Sequence, residues 1–182
     1  LLDGRDVPPT SGLEYIHQLQ DKLDELRDAY DMDAKIASGG GRMYVTMDRY
    51  ESNWDIVKRG WDAHVRGVVA DEDITEEYPG YFESAEDAIT TAREVYPKKK
   101  DQYNPPFVIV DANGDPVGRM QDGDAVINFN YRGDRAIEIT KAFVFEDFDA
   151  FKREYYPDVK YAGLLEYDTD THLPPTYLVP PP

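Results

Sequence analysis

The sequence predicts an α/β protein, a three-layer sandwich with a mixed β-sheet flanked by helices. Short apolar runs typical of buried strands alternate with longer segments whose apolar residues recur at helical spacing, and such alternation is typical of layered α/β folds. Asn113-Gly114 lies between two of the apolar runs and favours a tight turn, because Asn and Gly readily adopt positive φ. A hairpin at this turn makes two neighbouring strands antiparallel, so we expect the sheet to be mixed.

Serine residues mark the starts of three predicted helices. Ser11 and Glu14 have the spacing of a capping box, in which both side chains satisfy free N–H groups at the helix start. Ser52 and Ser84 precede two further helices, and the second of these ends before Pro97. Residues at helical spacing define the apolar faces of the first two helices: Ile16, Leu19, Leu23, Leu26 and Tyr30, then Trp54, Val57, Trp61 and Val65.

The remaining apolar segments predict strands and one more helix. Residues 107–110 and 125–129 are the strongest strand patterns, joined through the predicted hairpin turn at 112–115. The aromatic stretch 143–156 predicts a helix. Three shorter segments are also expected to be strands, namely 35–37, 43–47 and 161–165.

The length of 182 residues is enough for one sizeable core, and we expect residues 1–182 to form a single domain. The chain starts at Leu1 without Met, and residues 178–182 are proline-rich and predict an extended exit. Both ends suggest a piece of a longer polypeptide. The chain has no cysteine, which excludes disulfides, thiolate metal sites and thiol catalysis.

The net charge is strongly negative, since 20 Lys and Arg residues stand against 37 Asp and Glu residues to give −17. A field of this sign repels nucleic acid and anionic membranes, so neither is expected as a partner. The sequence shows neither an apolar run of membrane-spanning length nor a signal peptide, and we expect a cytoplasmic protein. An anionic ligand would have to be bound by a local cluster of cations.

Arginine lies beside aspartate in three turn-like stretches: Gly4-Arg5-Asp6, Gly41-Arg42 with Met47-Asp48-Arg49, and Arg132-Gly133-Asp134-Arg135. Each follows a predicted strand or starts a predicted helix, where free N–H groups and the helix dipole favour an anion. The planar guanidinium group donates two parallel hydrogen bonds to carboxylate or phosphate. Five such arginines in one site would suit a phosphorylated carboxylic acid. The alternative is that each Arg/Asp pair is an exposed ion pair that contributes little to stability.

Other motifs are less specific. The run 39–41 is all glycine but lacks the Gly-Lys-Ser/Thr ending of a nucleotide-binding P-loop, so we interpret it as a flexible turn that lets Arg42 approach a ligand. His17 and His64 are expected on helix surfaces. No histidine has a metal-ligand neighbour at useful spacing, and no metal site is predicted in this chain.

Four motifs combine in a way that is specific to one family. They are residues 2–9 around Gly4-Arg5-Asp6, residues 41–49, residues 122–126, and residues 128–135. Together they resemble the cofactor-independent (2,3-bisphosphoglycerate-independent) phosphoglycerate mutases. The form of residues 38–42, 48–51 and 53–55 is similar to the plant and trypanosomatid type. The resemblance covers essentially the whole chain, and it implies a substrate-binding domain that is normally inserted in an alkaline-phosphatase-like domain.

The resemblance also implies roles for six residues. Arg5 and Asp6 would contact the glycerate portion of the substrate, and Arg42 and Arg49 match two further substrate-binding arginines. Arg132 and Arg135 match the paired arginines that bind the phosphate group in this family. Asp6 is the candidate general acid or base on the glycerate hydroxyls; alternatively, it orients Arg5 through an ion pair.

The mechanism that the resemblance implies is a phosphoryl transfer shared by two domains. A serine in the phosphatase-like domain, beside two divalent metals (typically manganese), takes the phosphoryl group from 3-phosphoglycerate and returns it to the other hydroxyl to give 2-phosphoglycerate. The present chain would supply positioning and charge stabilisation, without 2,3-bisphosphoglycerate and without a metal of its own. Two alternatives stay open: a binding module that turns nothing over, and a structural domain whose arginines form only surface ion pairs.

Overall fold

A computed structural model describes residues 1–180, which contain four α-helices and five strands arranged in two small sheets. The helices are α1 (Gly12–Tyr30), α2 (Trp54–Trp61), α3 (Ala85–Val95) and α4 (Ile137–Val144). The strands are β1 (Ser38–Gly39), β2 (Tyr81–Phe82), β3 (Phe107–Ile109), β4 (Ala125–Asn128) and β5 (Lys160–Gly163). A π-helical segment, Asp62–Arg66, continues α2.

The first sheet is mixed and has the order β1-β3-β2. Strand β1 runs antiparallel to β3, and β2 runs parallel to it. All three residues of β3 are buried, so both faces of this strand are covered. Helices α1 and α3 pack together, and Ile89 of α3 lies in one apolar cluster with Phe82 and Phe107 of the sheet.

The second sheet pairs β4 and β5 in parallel, with Ala125 opposite Lys160 and Asn128 opposite Gly163. Its apolar side meets α2 and α4 in an aromatic cluster. Trp61 and Phe143 lie at its centre, with ring centroids 4.8 Å apart. Strand β4 ends four residues before Arg132, and α4 begins two residues after Arg135, so this sheet and its helix deliver both arginines to one end of the molecule.

The predicted α/β class, with a mixed sheet flanked by helices, is confirmed. The predicted hairpin is wrong, because residues 107–110 and 125–129 belong to different sheets. The turn at Asn113-Gly114 does form, but it closes only a short bridge between Val110 and Pro116, with the N–H of Asp111 donating to the carbonyl of Asp115. The mixed character of the sheet comes instead from β1 and β3.

The predicted helix over 143–156 is wrong beyond Val144, where α4 ends. Arg153 donates from its guanidinium group to the carbonyl oxygens of Ala142, Phe145 and Glu146, which satisfies groups that a longer helix would have used itself. The aromatic side chains of this stretch pack sideways on α2 rather than along a helix of their own.

Only one of the three predicted serine caps is confirmed. Ser84 accepts a hydrogen bond from the N–H of Asp87 at the start of α3. Ser11 precedes α1 without capping it, because its hydroxyl donates to Pro8 while Asp101 accepts from the N–H of Gly12. At α2 the cap is Asn53 rather than Ser52.

Two predicted strands are absent among residues 1–180. Residues 35–37 precede the strand that forms at Ser38–Gly39, and residues 43–47 fold into turns, with the N–H groups of Tyr44 and Val45 both donating to Gly41. The strand expected at 161–165 is β5. Of the extended exit predicted over 178–182, residues 181 and 182 lie outside the described residues. Within residues 1–180 no helix is both long and apolar enough to cross a membrane.

Candidate functional site

The three arginine-containing stretches meet in one cleft of about 260 Å³. All six residues predicted from the sequence line it. The prediction of one anion-binding site requires this convergence, whereas unrelated surface ion pairs would lie apart. The lining consists of Arg5, Asp6, Arg42, Met47, Arg49, Asn130, Tyr131, Arg132, Asp134 and Arg135.

The first stretch is held by the Asp3 side chain. One carboxylate oxygen of Asp3 accepts from the N–H of Asp6 at 3.1 Å, which curls the chain so that Arg5 and Asp6 project into the cleft. The other oxygen accepts from Nη1 of Arg42 at 2.8 Å. Asp3 therefore fixes two parts of the cleft wall at once.

The glycine run carries Arg42 and is tightly packed, not the loose turn that the sequence suggested. A Cβ added to Gly41 would lie 2.3 Å from the carbonyl carbon of Gln102, so only glycine allows this approach of two main chains. The N–H of Arg42 donates to the carbonyl of Leu2, which joins the run to the first stretch. The Arg42 side chain is only 12% exposed, and its Nε is buried without a hydrogen-bond partner within residues 1–180.

Arg49 lies in a turn whose backbone is unusual. Three non-glycine residues of the turn segment have left-handed φ: Thr46 at 70°, Tyr50 at 61° and Glu51 at 53°. The Asp48 carboxylate accepts from the N–H of Asn53 at 2.6 Å and so closes the turn from inside. Burial raises the pKa of Asp48, but the hydrogen bonds that it accepts outweigh burial and hold the pKa below its usual value.

The third stretch contributes one exposed and one enclosed arginine. Arg132 is 74% exposed and lies 3.6 Å from the Asp6 carboxylate. Arg135 donates from Nη1 to the carbonyl oxygen of Met47, so it also supports the turn that carries Arg49. The Asp134 carboxylate lies 3.6 Å from the Arg49 guanidinium group.

Positive charge is in surplus in the cleft. Five guanidinium groups line it against two carboxylates, although the whole chain carries −17. Burial, followed by the nearby cations Arg42 and Arg49, lowers the pKa of Arg135. A bound anion would relieve this repulsion among like charges.

Asp6 does not pair with its sequence neighbour Arg5. Its carboxylate lies between Arg42 at 3.9 Å and Arg132 at 3.6 Å. Among the ion pairs of the described residues, none joins Asp6 to Arg5, so the alternative role of orienting Arg5 by an ion pair finds no support in this geometry. Asp6 is 53% exposed, which leaves it accessible to a ligand in the cleft.

The histidines divide between surface and interior. His17 is on the surface as predicted, 3.1 Å from Glu86. His64 is not: its two ring nitrogens contact the hydroxyls of Ser38 at 2.8 Å and Thr46 at 3.0 Å. Burial lowers the pKa of His64 to about 4, so a neutral ring joins the start of the glycine run to the Arg49 turn. Within residues 1–180 no group of three or more His, Asp or Glu residues is placed to hold a metal.

Sequence reasoning missed several parts of the site. Asn130 and Tyr131 line the cleft because they follow β4. The sequence pattern that could have indicated this is the alternation of Asn128 and Asn130, which places both on one side of an extended segment. A second cavity of about 340 Å³ adjoins the cleft and shares Arg42, Met47, Asn130 and Arg135 with it. Its remaining lining is mixed, with apolar residues such as Phe129 and Ile139 beside Asp3, Thr46 and Asn128.

Fold and cleft together define the class of this protein: a mixed α/β protein with a concentrated cationic cleft on an otherwise acidic chain. The family described as "BPG-independent PGAM N-terminus" matches residues 1–169. The chain is 52% identical over its full length to a 2,3-bisphosphoglycerate-independent phosphoglycerate mutase from Prunus dulcis and 49% identical to one from Trypanosoma brucei brucei. It covers 35% and 31% of these two proteins.

A solved structure agrees with these sequence relatives. The crystal structure of Leishmania mexicana phosphoglycerate mutase at low cobalt concentration superposes with a TM-score of 0.92 at 50% identity, over 100% of this chain and 31% of that one. The chain belongs to the N-terminal family of the BPG-independent phosphoglycerate mutases. It spans about a third of the length of the relatives it matches.

Proposed function

We propose that this chain is the substrate-binding domain of a phosphoglycerate mutase that interconverts 3-phosphoglycerate and 2-phosphoglycerate in glycolysis and gluconeogenesis. In this proposal residues 1–182 form one domain, normally inserted in an alkaline-phosphatase-like domain of the same polypeptide. The observation that carries the proposal is the meeting of five arginines from three separate stretches in one cleft. The reaction itself is the one named for the relatives.

The charge and size of the cleft support a phosphoglycerate as ligand. A phosphate ester carries about −1.5 to −2 at neutral pH, and a carboxylate adds one more negative charge. This total suits a wall on which arginines exceed aspartates by three. The volume of about 260 Å³ lies just below the range of about 300–1,000 Å³ that is typical of small-molecule sites, which favours a three-carbon metabolite over a nucleotide.

The exposure of each arginine suggests a division of work. Arg132 and Arg135 would hold the phosphoryl group, with the exposed Arg132 able to follow it as it moves. Arg42 and Arg49 would neutralise the remaining negative charge, and Arg5 would bind the glycerate. These groups stabilise charge that shifts during phosphoryl transfer, which is the main contribution a protein makes to this chemistry.

Asp6 is the candidate for proton transfer. It is the exposed carboxylate of the cleft that lies within 4 Å of both Arg42 and Arg132, so it would stand beside a glycerate hydroxyl bound between them. As general base it would accept the hydroxyl proton when that oxygen takes the phosphoryl group, and as general acid it would return the proton in the opposite direction.

The remaining chemistry would belong to the absent domain. In this proposal the phosphoserine intermediate and the two divalent metals that the resemblance implies, typically manganese, belong to that other domain. No step assigned to this chain passes through those metals. The family description is consistent with a reaction that does not need 2,3-bisphosphoglycerate.

Calorimetry and a coupled enolase assay test the proposal. The chain should bind 3-phosphoglycerate more tightly than sulfate or glycerate alone, because only the phosphorylated acid offers both a phosphate and a carboxylate to the five arginines. It should give no turnover in the enolase assay. Equal affinity for sulfate and 3-phosphoglycerate would reject the substrate assignment, and measurable turnover would reject the division between the two domains. Binding with no turnover by any larger polypeptide that contains the chain would favour the alternative of a non-catalytic binding module.

A further inference from the structure

Glu138 lies beneath the turn that carries Arg49 and is almost completely buried, at 2% exposure. It belongs to the first turn of α4. Its Oε1 accepts from the main-chain N–H of Glu51 at 3.0 Å. Its Oε2 is buried with no hydrogen-bond donor in the described part of the chain. A buried, ionised carboxylate with one unsatisfied oxygen is unfavourable, so the surroundings of Glu138 suit a different protonation state.

The neighbouring Asp48 accounts for the unsatisfied oxygen. Asp48 accepts from the N–H of Asn53 at 2.6 Å and from Oγ of Ser52 at 2.8 Å, and its carboxylate is also within hydrogen-bonding reach of the Glu138 carboxyl. Two ionised carboxylates only accept hydrogen bonds, so they cannot bond to each other. A protonated Glu138 has an O–H to donate to Asp48 while it still accepts from the N–H of Glu51.

We propose that Glu138 is a positioning residue of the cleft. As a neutral acid it accepts from the Glu51 N–H and donates to the Asp48 carboxylate, and it thereby holds Arg49 at a fixed separation from Arg135. This inference rests on the proposed function only in that the cleft binds an anion. Glu138 does not line the cleft and would not touch the ligand.

The helix and the turn just before it hold the Arg49 turn at two further points. Arg135 donates to the Met47 carbonyl, and Nζ of Lys141 lies 2.6 Å from a carboxylate oxygen of Glu51. Glu138 and Lys141 are three residues apart in α4, the spacing that places side chains along one face of a helix, and Arg135 lies in the turn that precedes it. Since the turn segment contains three residues with left-handed φ, its shape depends on such contacts from outside.

Ionisation of Glu138 should loosen this arrangement. Charged groups surround Glu138 on several sides. Asp48 and Glu51 belong to the Arg49 turn, Asp134 precedes α4, Lys141 lies in α4, and Asp168 lies in the segment after β5. Burial is the largest effect and raises the pKa of Glu138, and the nearby Asp48 raises it further. The hydrogen bond from the N–H of Glu51 acts in the opposite direction, and the resulting pKa is about 7. Above that pH two buried carboxylates oppose each other, so the turn should move away from α4 and take Arg49 with it.

The test compares anion affinity across pH in the wild-type chain and in Glu138→Gln. Sulfate is the probe, because its charge is constant between about pH 6 and pH 8.5 whereas phosphate esters titrate there. Wild-type affinity should fall about threefold to tenfold over this range, a loss comparable to one weakened charge-assisted hydrogen bond. Glu138→Gln should stay at the low-pH wild-type level throughout, because its amide also accepts from Glu51 and donates to Asp48 without titrating.

Two controls make the result specific. Glu94→Gln, an exposed change on α3, should keep the wild-type pH profile, and Glu138→Ala should bind weakly at every pH. In the wild-type chain alone, the carboxyl carbon of Glu138 should titrate near pH 7 by NMR, and the Nε resonance of Arg49 should move with the same midpoint. This second measurement decides the matter if a variant does not fold.

Parallel pH profiles for wild type and Glu138→Gln would overturn the role of Glu138 and leave the cleft assignment intact. An Arg49 signal that ignores the Glu138 titration would do the same. Failure of the wild-type chain to bind either sulfate or 3-phosphoglycerate at any pH would instead reject the proposed function, and the role of Glu138 with it.

Discussion

The scaffold and the cleft both pair arginine with aspartate, but they bury the aspartate to very different extents. In the scaffold the carboxylates are at most 4% exposed, in the pairs Arg59–Asp73, Arg66–Asp62 and Arg93–Asp101. In the cleft the two carboxylates are 41% and 53% exposed, in the pairs Arg49–Asp134 and Arg132–Asp6, and Asp3, which supports the wall by its pair with Arg42, is 31% exposed.

The two sets also differ in balance. Each scaffold carboxylate receives several donors: Asp101, for example, accepts from Arg93 and from the N–H of Gly12 at 2.7 Å. In the cleft the cations outnumber the carboxylates. A buried carboxylate with all its partners is structural, because leaving it unpaired is costly. A surplus of partly exposed arginines without carboxylate partners favours the binding of an anionic ligand. This difference distinguishes a binding site from ion pairs that only stabilise the fold.

The largest expected effect falls on the scaffold. Asp101→Ala leaves Arg93 partly buried without its carboxylate and the first N–H of α1 without an acceptor, so the free energy of unfolding should fall by about 3–5 kcal/mol. Urea denaturation measures this. Asp24→Ala is the matched control, because Asp24 pairs with Arg27 on the exposed surface of α1 and should change stability by no more than about 0.5 kcal/mol. Similar losses in both variants would remove the distinction between the two sets.

The next effect concerns His64, a neutral side chain inside the scaffold. His64 has a folded pKa of about 4, below the unfolded value of 6.5, so its contribution is complete above about pH 6.5 and is lost as the pH falls towards 4. The loss should be on the order of 2 kcal/mol. Unfolding free energies of wild type and His64→Gln between about pH 4.5 and pH 7.5 isolate it, since other groups cancel in the difference. A difference that does not change with pH would show that His64 is not held neutral.

Arg132→Ala should have its effect on binding alone. Arg132 is 74% exposed, so the melting temperature should stay unchanged while affinity for 3-phosphoglycerate falls by about 10- to 30-fold, the loss of one charge-assisted contact. Calorimetry and thermal melts on the same samples measure the two quantities. Arg27→Ala, on α1 and outside the cleft, should change neither by much. A drop in melting temperature with no specific loss of affinity would place Arg132 in the structural set.

The smallest effect asks whether the cleft needs guanidinium groups or only positive charge. Arg49→Lys keeps the charge near Asp134 but loses the planar fork, so affinity for 3-phosphoglycerate should fall by about twofold to fivefold. Titration at two salt concentrations checks this, because a purely electrostatic contribution is screened by salt while fork geometry is not. Unchanged affinity would mean that Arg49 acts as a point charge.

Local signals in the sequence were reliable where the partners are local. Ser84 caps α3 through a residue three positions away, and the sequence pattern was sufficient to find it. At Ser11 the acceptor for the helix N–H is Asp101, 89 residues away, so no local pattern could have revealed it. The stretch after Val144 failed for a similar reason, since its aromatic side chains serve α2 and its helix-ending donor is Arg153.

The arginines of the candidate site could be found from sequence because each lies in a short stretch that pairs arginine with aspartate, and such stretches can be recognised locally. Their supports could not. Asp3, Asp48 and Glu138 were given no role, since what they do depends on distant partners: Asp3 contacts Arg42, 39 residues away, and Glu138 contacts Glu51, 87 residues away. A lone glutamate on an apolar helix face gives no sign that it faces a second carboxylate.

The left-handed backbone at Thr46, Tyr50 and Glu51 has a consequence for protein engineering. Such residues relax towards ordinary conformations when nothing restrains them, so the shape that brings Arg49 into the cleft is imposed by neighbours. Transplanting the five arginines onto another α/β scaffold would reproduce the charge but not the spacing. A successful graft would have to carry the interior carboxylates and the first turns of α4 as well, as one inseparable unit.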